Sequence, residues 1–273
     1  MPVNRLYAIY FSPTGGTKRI VLTIAGKLAE YLNLELTEID YTNMDNRKRT
    51  YNFGDKDLVV MGFPVYAGRI PNKILPDIEA GIHGSGTKAV PISVYGNRNY
   101  DEALRELVLL SERNGFVPIA GAAIVSQHAF SEILAANRPD ETDIQKMEQF
   151  AKRIAGRIRD AEDIRAIEID RSTPIKPYYT PLKTDGSPAG FLKAKPVTNM
   201  EKCDNCGLCA EICPMDSISR EDVSRVTGVC IKCQACIRGC PKKAKAFEDE
   251  AFLSHVEMLE QNYRERREDV FWE

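Results

Sequence analysis

Short unbroken apolar runs alternate, through the first half of the chain, with stretches whose apolar residues recur every three or four positions. Leu6, Tyr7, Ala8, Ile9, Tyr10 and Phe11 form a continuous run, as expected for a strand buried on both faces of a parallel sheet. A turn of Ser, Pro, Thr and Gly follows at 12–17. Ile20, Val21, Ile24, Ala25 and Leu28 then fall at helical spacing. Further strands are predicted at 34–39, 58–62, 88–95 and 117–125. Helical stretches are predicted after Pro71, around Leu104, Leu107 and Val108, and along Met147, Phe150, Ala151, Ile154 and Ile158. Strands alternating with helices imply βαβ units, so an α/β doubly wound five-stranded parallel sheet is expected over 1–160.

The texture changes at about 171–196. Pro174, Pro177, Pro181, Pro188 and Pro196, with Gly186 and Gly190, argue against a helix or central strand. We read 161–196 as a connector over the surface, packing through Tyr178, Tyr179 and Phe191. A cysteine-rich module is expected over 197–247 and a C-terminal helix over 248–273. Phe252, Val256, Leu259 and Tyr263 would line that helix's inner face, with Arg264, Glu265, Arg266 and Arg267 solvated.

Composition narrows the function classes. A net charge of −2 leaves no basic footprint for nucleic acid. No apolar run reaches the length of a membrane span. The stretch Met1-Pro2-Val3-Asn4-Arg5 leads into a strand without a secretory pattern, so a cytoplasmic location is expected. All eight cysteines lie between Cys203 and Cys240. A secreted disulfide scaffold would spread them along its fold, whereas one dense segment suits metal binding in a reducing compartment.

The cysteines form one internal repeat. Cys203-x-x-Cys206-x-x-Cys209-x-x-x-Cys213-Pro214 recurs as Cys230-x-x-Cys233-x-x-Cys236-x-x-x-Cys240-Pro241. Three thiolates at this spacing wind a loop around a cuboidal cluster. Zinc would call for two separated Cys-x-x-Cys pairs instead. The segment resembles bacterial two-cluster ferredoxins, a small α+β domain. In that spacing the fourth cysteine of each run ligates the other cluster. The resemblance therefore implies two 4Fe-4S clusters, one on Cys203, Cys206, Cys209 and Cys240, the other on Cys230, Cys233, Cys236 and Cys213. Lys202, Lys232, Arg238, Lys242, Lys243 and Lys245 either offset cluster charge, form a docking surface or are ordinary solvated side chains.

The turn Ser12-Pro13-Thr14-Gly15-Gly16-Thr17 has small residues that let successive N–H groups face an anion, and it opens a helix. Ser12, Thr14 and Thr17 add hydroxyl donors. It lacks the Gly-Lys-Ser/Thr ending of a nucleotide-hydrolase loop and the Gly-x-Gly-x-x-Gly of a dinucleotide site. Its bland alternative is a plain strand-to-helix turn. Ser-x-Thr-Gly-x-Thr after a first strand resembles the FMN-phosphate loop of flavodoxins, whose sheet order is 2-1-3-4-5. That resemblance covers about 1–160 and implies two further loops against the isoalloxazine ring. One contains Pro64, Val65, Tyr66, Ala67 and Gly68, and the other Tyr95, Gly96, Asn97 and Tyr100. Tyr66 and Tyr100 are the candidates for ring contact. The segment 84–88 is read as a plain turn, Arg47-Lys48-Arg49 as a solvated loop, and His83 and His128 as without chemistry.

The whole chain looks like the flavodoxin–ferredoxin fusions of anaerobes. The resemblance implies an iron-sulfur flavoprotein passing electrons among two 4Fe-4S clusters, FMN and protein redox partners. The competing class is an FMN-dependent reductase of a small molecule such as a quinone or nitro compound. A third possibility leaves the flavin site inert beside working clusters. What separates the first two is whether the flavin pocket is shielded.

Overall fold

The computed structural model describes residues 3–160 and 164–273. Met1, Pro2 and the first residues expected of the connector, 161–163, lie outside the described residues. Five parallel strands make the sheet: β1 (Arg5–Tyr10), β2 (Leu36–Asp40), β3 (Asp57–Pro64), β4 (Thr87–Tyr95) and β5 (Gly121–Val125). They lie in the order 2-1-3-4-5, the flavodoxin-like doubly wound arrangement. The fifth predicted strand is split. Phe116–Pro118 pairs with the start of β4, and β5 pairs with its end. Pro118 carries no N–H and cannot continue the ladder, which explains the interruption.

Alternation along β1 sends Leu6, Ala8 and Tyr10 to one face and Ile9 and Phe11 to the other. On the first face lie α1 (Gly16–Leu32) and α4 (Glu141–Asp160), burying Ile20, Ile24, Leu28, Phe150 and Ile154. On the second lie α2 (Leu75–Gly81) and α3 (Ala103–Arg113), through Ile78, Leu107 and Leu110. The central strands β3, β4 and β5 are thus covered on both sides, as parallel sheets require, while the edge strand β2 leaves Thr37 and Glu38 exposed. The loops after β1, β3, β4 and β5 gather at one edge, the carboxyl ends of the strands.

The cysteine module docks at that edge. Val197–Thr198 pairs antiparallel with Lys245–Ala246 and closes it, around short helical turns Leu208–Glu211 and Ala235–Arg238. Met215 and Ile231 of the module pack onto the sheet's own core. Arg47 departs from its expected role as a solvated loop residue. Only 7% exposed, it bonds the carbonyls of Tyr41, Thr42 and Pro214, and pairs with Asp77 at 3.1 Å. The reason is that Pro214, next to the fourth cysteine of the first run, turns a main-chain acceptor into this seam. Arg238 makes a second tie, to the carbonyls of His128, Ala129 and Ser131.

The C-terminal helix expected over 248–273 is shorter. Helix α5 (Glu250–Asn262) ends, and the chain returns to add β6 (Val270–Trp272) antiparallel to β5. Two causes act here. The edge of β5 presents unpaired backbone groups. Arg138, buried between Asp143 at 2.7 Å and Asp269 at 3.4 Å, also bonds the Arg267 carbonyl, and Arg266 reaches Asp140 and Asp143. Arg264 to Arg267 therefore belong to the return segment and do not form a helix face.

Two outcomes follow. Arg47→Ala strands three buried carbonyls and is expected to cost about 1–3 kcal/mol of stability, read by urea unfolding, with Arg47→Lys recovering only part. Burial pushes the Asp269 carboxyl up to about 6, with Asp143 adding to this and the Val125 N–H and Arg138 opposing it. Its Oδ2 has no hydrogen-bond partner among the described residues. A folded pKa above the unfolded value of about 3.9 contributes stability below that value and loses it as pH rises through about 6. Asp269→Asn should therefore raise the melting temperature more at pH 8 than at pH 5; an equal gain at both would contradict this.

Candidate functional site

The eight cysteines form no disulfide. They enclose two separate small cavities of about 20 Å³ each. Cys203, Cys206, Cys209 and Cys240 line one, with Pro241, Val223 and Lys245. Cys213, Cys230, Cys233 and Cys236 line the other, with Pro214, Ile218 and Ile231. Each cavity is lined by three cysteines of one run and the fourth of the other. Among the described residues no three Cys, His, Asp or Glu side chains converge on a point that would suit a single ion. A ring of thiols around a space, and not around a point, fits a four-iron cluster better than zinc with its short bonds of about 2.3 Å.

The repeat is carried by the backbone as well. Asn205 and Lys232, Gly207 and Gln234, and Asp216 and Lys243 are matched pairs, all at positive φ between 45° and 79°. These left-handed residues turn the loops so that thiols face inward. Main-chain N–H groups of Ser217 and Ala244 donate to Cys213 Sγ at 3.4 Å and Cys240 Sγ at 3.3 Å. Such bonds favour the thiolate. Burial works against it, pushing Cys236 up to about 12 and Cys233 further. Positive irons would offset that cost.

A much larger cavity, about 430 Å³, lies between this module and the carboxyl edge of the sheet. Its size falls within the range of cofactor-sized pockets. Thr14, Gly16 and Thr17 are among its lining residues. No acceptor in the described chain takes the N–H groups of Thr14, Gly16 or Thr17. No acidic side chain occupies the first turn of α1. Pro64, Val65, Tyr66, Ala67, Gly68, Tyr95 and Gly96 line it too, as do Ile231 and Lys232, between Cys230 and Cys233. The phenol of half-buried Tyr66 is pushed well above its usual range by desolvation, with Cys233 and Cys230 adding to it.

Four predicted contacts sit elsewhere. Ser12 is consumed locally: its Oγ accepts the Lys18 N–H at 2.9 Å and its own N–H bonds Thr42 Oγ1. Gly15 supplies conformation, with φ of 87° at the start of α1. Asn97 turns its amide to the Tyr263 and Glu265 carbonyls at 2.6 and 2.8 Å, holding the return segment. Tyr100 packs against Tyr95, ring centroids 5.6 Å apart.

Other cavity residues escaped the sequence reading. The loop after β5 contributes Ser126, Gln127, His128 and Phe130, and α5 contributes His255. Burial first, then His255, Arg238 and Arg98, push His128 down to about 3, so it is neutral at physiological pH. Its Nδ1 accepts the Phe130 N–H at 3.1 Å, which leaves Nε2–H as a donor to the cavity. His255 is tied the other way, Nδ1 to the Leu182 carbonyl at 2.8 Å, which leaves Nε2 as an acceptor. Both histidines lack any sequence motif, and only their position after a strand end and on α5 marks them.

The proline-rich connector forms part of the wall. Tyr178, Tyr179, Pro181, Phe191 and Leu192 all line the cavity. Arg69 lies 4.6 Å over the Tyr178 ring and Arg98 4.0 Å over Tyr179. Tyr178 Oη donates to the Ile70 carbonyl and the Tyr179 N–H to Ala67. The connector is a clamped strap.

Residues 196–219 and 227–244 each match a family model described as a 4Fe-4S binding domain. No curated protein matches the chain. Among solved structures the chain is similar to a flavodoxin from the domain Archaea, at 16% identity and a TM-score of 0.40, covering 57% of this chain and 99% of that one. It is similar to flavodoxin 2 from Bacillus cereus at 18% identity and a TM-score of 0.39, covering 57% and 98%. Similarity to the Flv1 flavodiiron core from Synechocystis sp. is 17% with a TM-score of 0.40, covering 59% of this chain and 37% of that one.

The close approach of two cavity loops gives a test. A Cβ on Gly96 would lie 2.4 Å from the His128 ring and 2.8 Å from its Cα. Because backbone must move, Gly96→Ala should lower stability by about 1–3 kcal/mol in denaturant unfolding; a neutral result would show that the loop after β5 is free to shift.

Proposed function

We propose that the chain is an iron-sulfur flavoprotein that passes electrons between two 4Fe-4S clusters, FMN and external protein redox partners. One observation carries this. A single cofactor-sized cavity is lined both by Thr14, Gly16 and Thr17 and by the two residues between Cys230 and Cys233. Bound flavin supplies the exchange between one-electron and two-electron currents that a cluster alone lacks.

The chain's own residues take the following roles. Unpaired N–H groups at the start of α1, with Thr14 and Thr17, hold a phosphate monoester. Pro64 to Gly68, Tyr95 and Gly96 bound the ring, and His128 Nε2–H and His255 Nε2 offer a neutral donor and acceptor to its polar edge. Tyr66 fills the gap between ring and cysteine cage. Cys203, Cys206, Cys209 and Cys240 hold the outer cluster, and Cys213, Cys230, Cys233 and Cys236 the inner one. In this scheme 1–160 binds flavin, 161–196 straps it in, 197–247 carries the clusters, and the remainder seals the site with α5 and β6.

The shielding favours a carrier over a reductase of small molecules. The strap, α5 and the module each wall part of the ring position, which narrows the approach of a substrate to the flavin and leaves the clusters as the route for electrons.

Anaerobic purification with iron, sulfide and flavin quantitation tests the assignment. About eight irons and one flavin per chain are expected; two or fewer irons, or no flavin, would falsify it. Sustained quinone turnover by the purified protein without a protein partner would move the assignment to the reductase class.

A further inference from the structure

The two cysteine runs share a backbone course up to the fifth residue after each fourth cysteine. Met215, Asp216 and Ser217 correspond to Lys242, Lys243 and Ala244, with Asp216 and Lys243 sharing a left-handed backbone and Ser217 and Ala244 both donating N–H to a thiol. The next pair differs in kind. Ile218 and Lys245 are both 4% exposed and occupy equivalent places, Ile218 walling the inner cage and Lys245 the outer one. A hydrocarbon in one half is a buried ammonium in the other.

Lys245 Nζ donates to Thr198 Oγ1 and to the Val223 carbonyl, each at 2.7 Å. These are neutral acceptors. Among the described residues, no ion pair joins Lys245 to a carboxylate, although other lysines and arginines of the module, such as Lys242 and Arg238, do form one. A buried charge needs a counter-charge. Four thiols share the cavity with Lys245, whose charge acts on Cys209 and also on Cys236 of the neighbouring cage; of the carboxylates nearby, Asp222 feels it without an ion pair and Asp204, in the same lining, pairs with Lys242.

We propose, on the basis of the cluster assignment above, that Lys245 is the counter-charge of the cluster held by Cys203, Cys206, Cys209 and Cys240, and sets its reduction potential above that of the inner cluster. An added electron makes a cluster more negative, so a fixed ammonium in a low-dielectric wall stabilises the reduced form. The inner cage has its own cation, Lys232, bonded to the Leu192 and Cys230 carbonyls. It is only half-buried, so solvent screens it more. One electron moving from the inner to the outer cluster oxidises the first and reduces the second, with no bond or proton changing place. The potential step therefore points from the flavin cavity toward exposed Cys206, where an external partner can reach the outer cluster.

The test uses the full chain purified anaerobically, with Lys245→Gln and Lys245→Arg beside it. Iron content is measured first, and an iron-free wild type would overturn the cluster assignment itself. Cluster potentials are then read by redox titration followed by electron paramagnetic resonance. We expect two separated potentials in the wild type. Lys245→Gln should lower the higher one by at least tenfold in its reduction equilibrium, about 59 mV for one electron, and Lys245→Arg should keep it. Unchanged separation in an iron-loaded Gln variant overturns the proposal, even if its melting temperature falls, because Lys245 then acts in packing alone. Should Lys245→Gln fail to hold iron, the reciprocal Ile218→Lys is expected to raise the lower potential and close the gap. No change there, or loss of iron in both variants, overturns the proposal as well.

Discussion

Two arginines gripping main-chain carbonyls across one seam hold the working parts of this protein in register. Arg47 reaches from the loop after β2 to Pro214, and Arg238 reaches back from the module to the loop after β5. Carbonyl oxygens are acceptors that no substitution of their own residue removes, so such contacts depend on backbone position more than on neighbouring side chains. A guanidinium presents several donors in a fixed plane and can bind two or three carbonyls at once. The seam brings Met215 and Ile231 onto the core beneath the strand ends. Without it, the cavity would be an open cleft at the edge of the sheet.

Enclosure has electrostatic consequences. The cavity gathers two histidines in opposite tautomers, a phenol held in its protonated form and main-chain N–H groups, together with two cations, Lys232 bonded to carbonyls and Arg98 paired with Asp101. Beyond its wall lie the thiols, whose burial disfavours the charged form until positive irons compensate. The strap is itself fixed by arginines stacked on tyrosines, contacts that gain strength as water is excluded.

The C-terminal segment performs a related task. Helix α5 packs Phe252 on Phe247 and Phe191, with centroids 4.4 and 5.4 Å apart, and so joins the module to the strap. The return through Arg266 and Asp269 then covers the free edge of β5. One terminal stretch thereby seals the cavity and completes the sheet.

Local pattern sufficed for much of this. Unbroken apolar runs specified parallel strands because both of their faces are covered, and the order 2-1-3-4-5 was legible through the loop 12–17 and its likeness to flavodoxins. The cysteine spacing marked three thiols of each run as local neighbours, whereas the crossing of the fourth was implied by the resemblance to two-cluster ferredoxins. Tertiary structure decided what depends on distant partners. Arg47 reads as one member of a basic loop until Pro214 arrives beside it. Asn97 and Tyr100 sit in the right loop but are claimed by the return segment and by Tyr95, whereas His128 and His255, unremarkable in sequence, face the cavity. Lys245 looks like its neighbours Lys242 and Lys243. Only the pairing of Val197–Thr198 with Lys245–Ala246, two residues far apart in sequence, turns it inward against the thiols, because burial is a property of what packs around a side chain and not of the side chain itself.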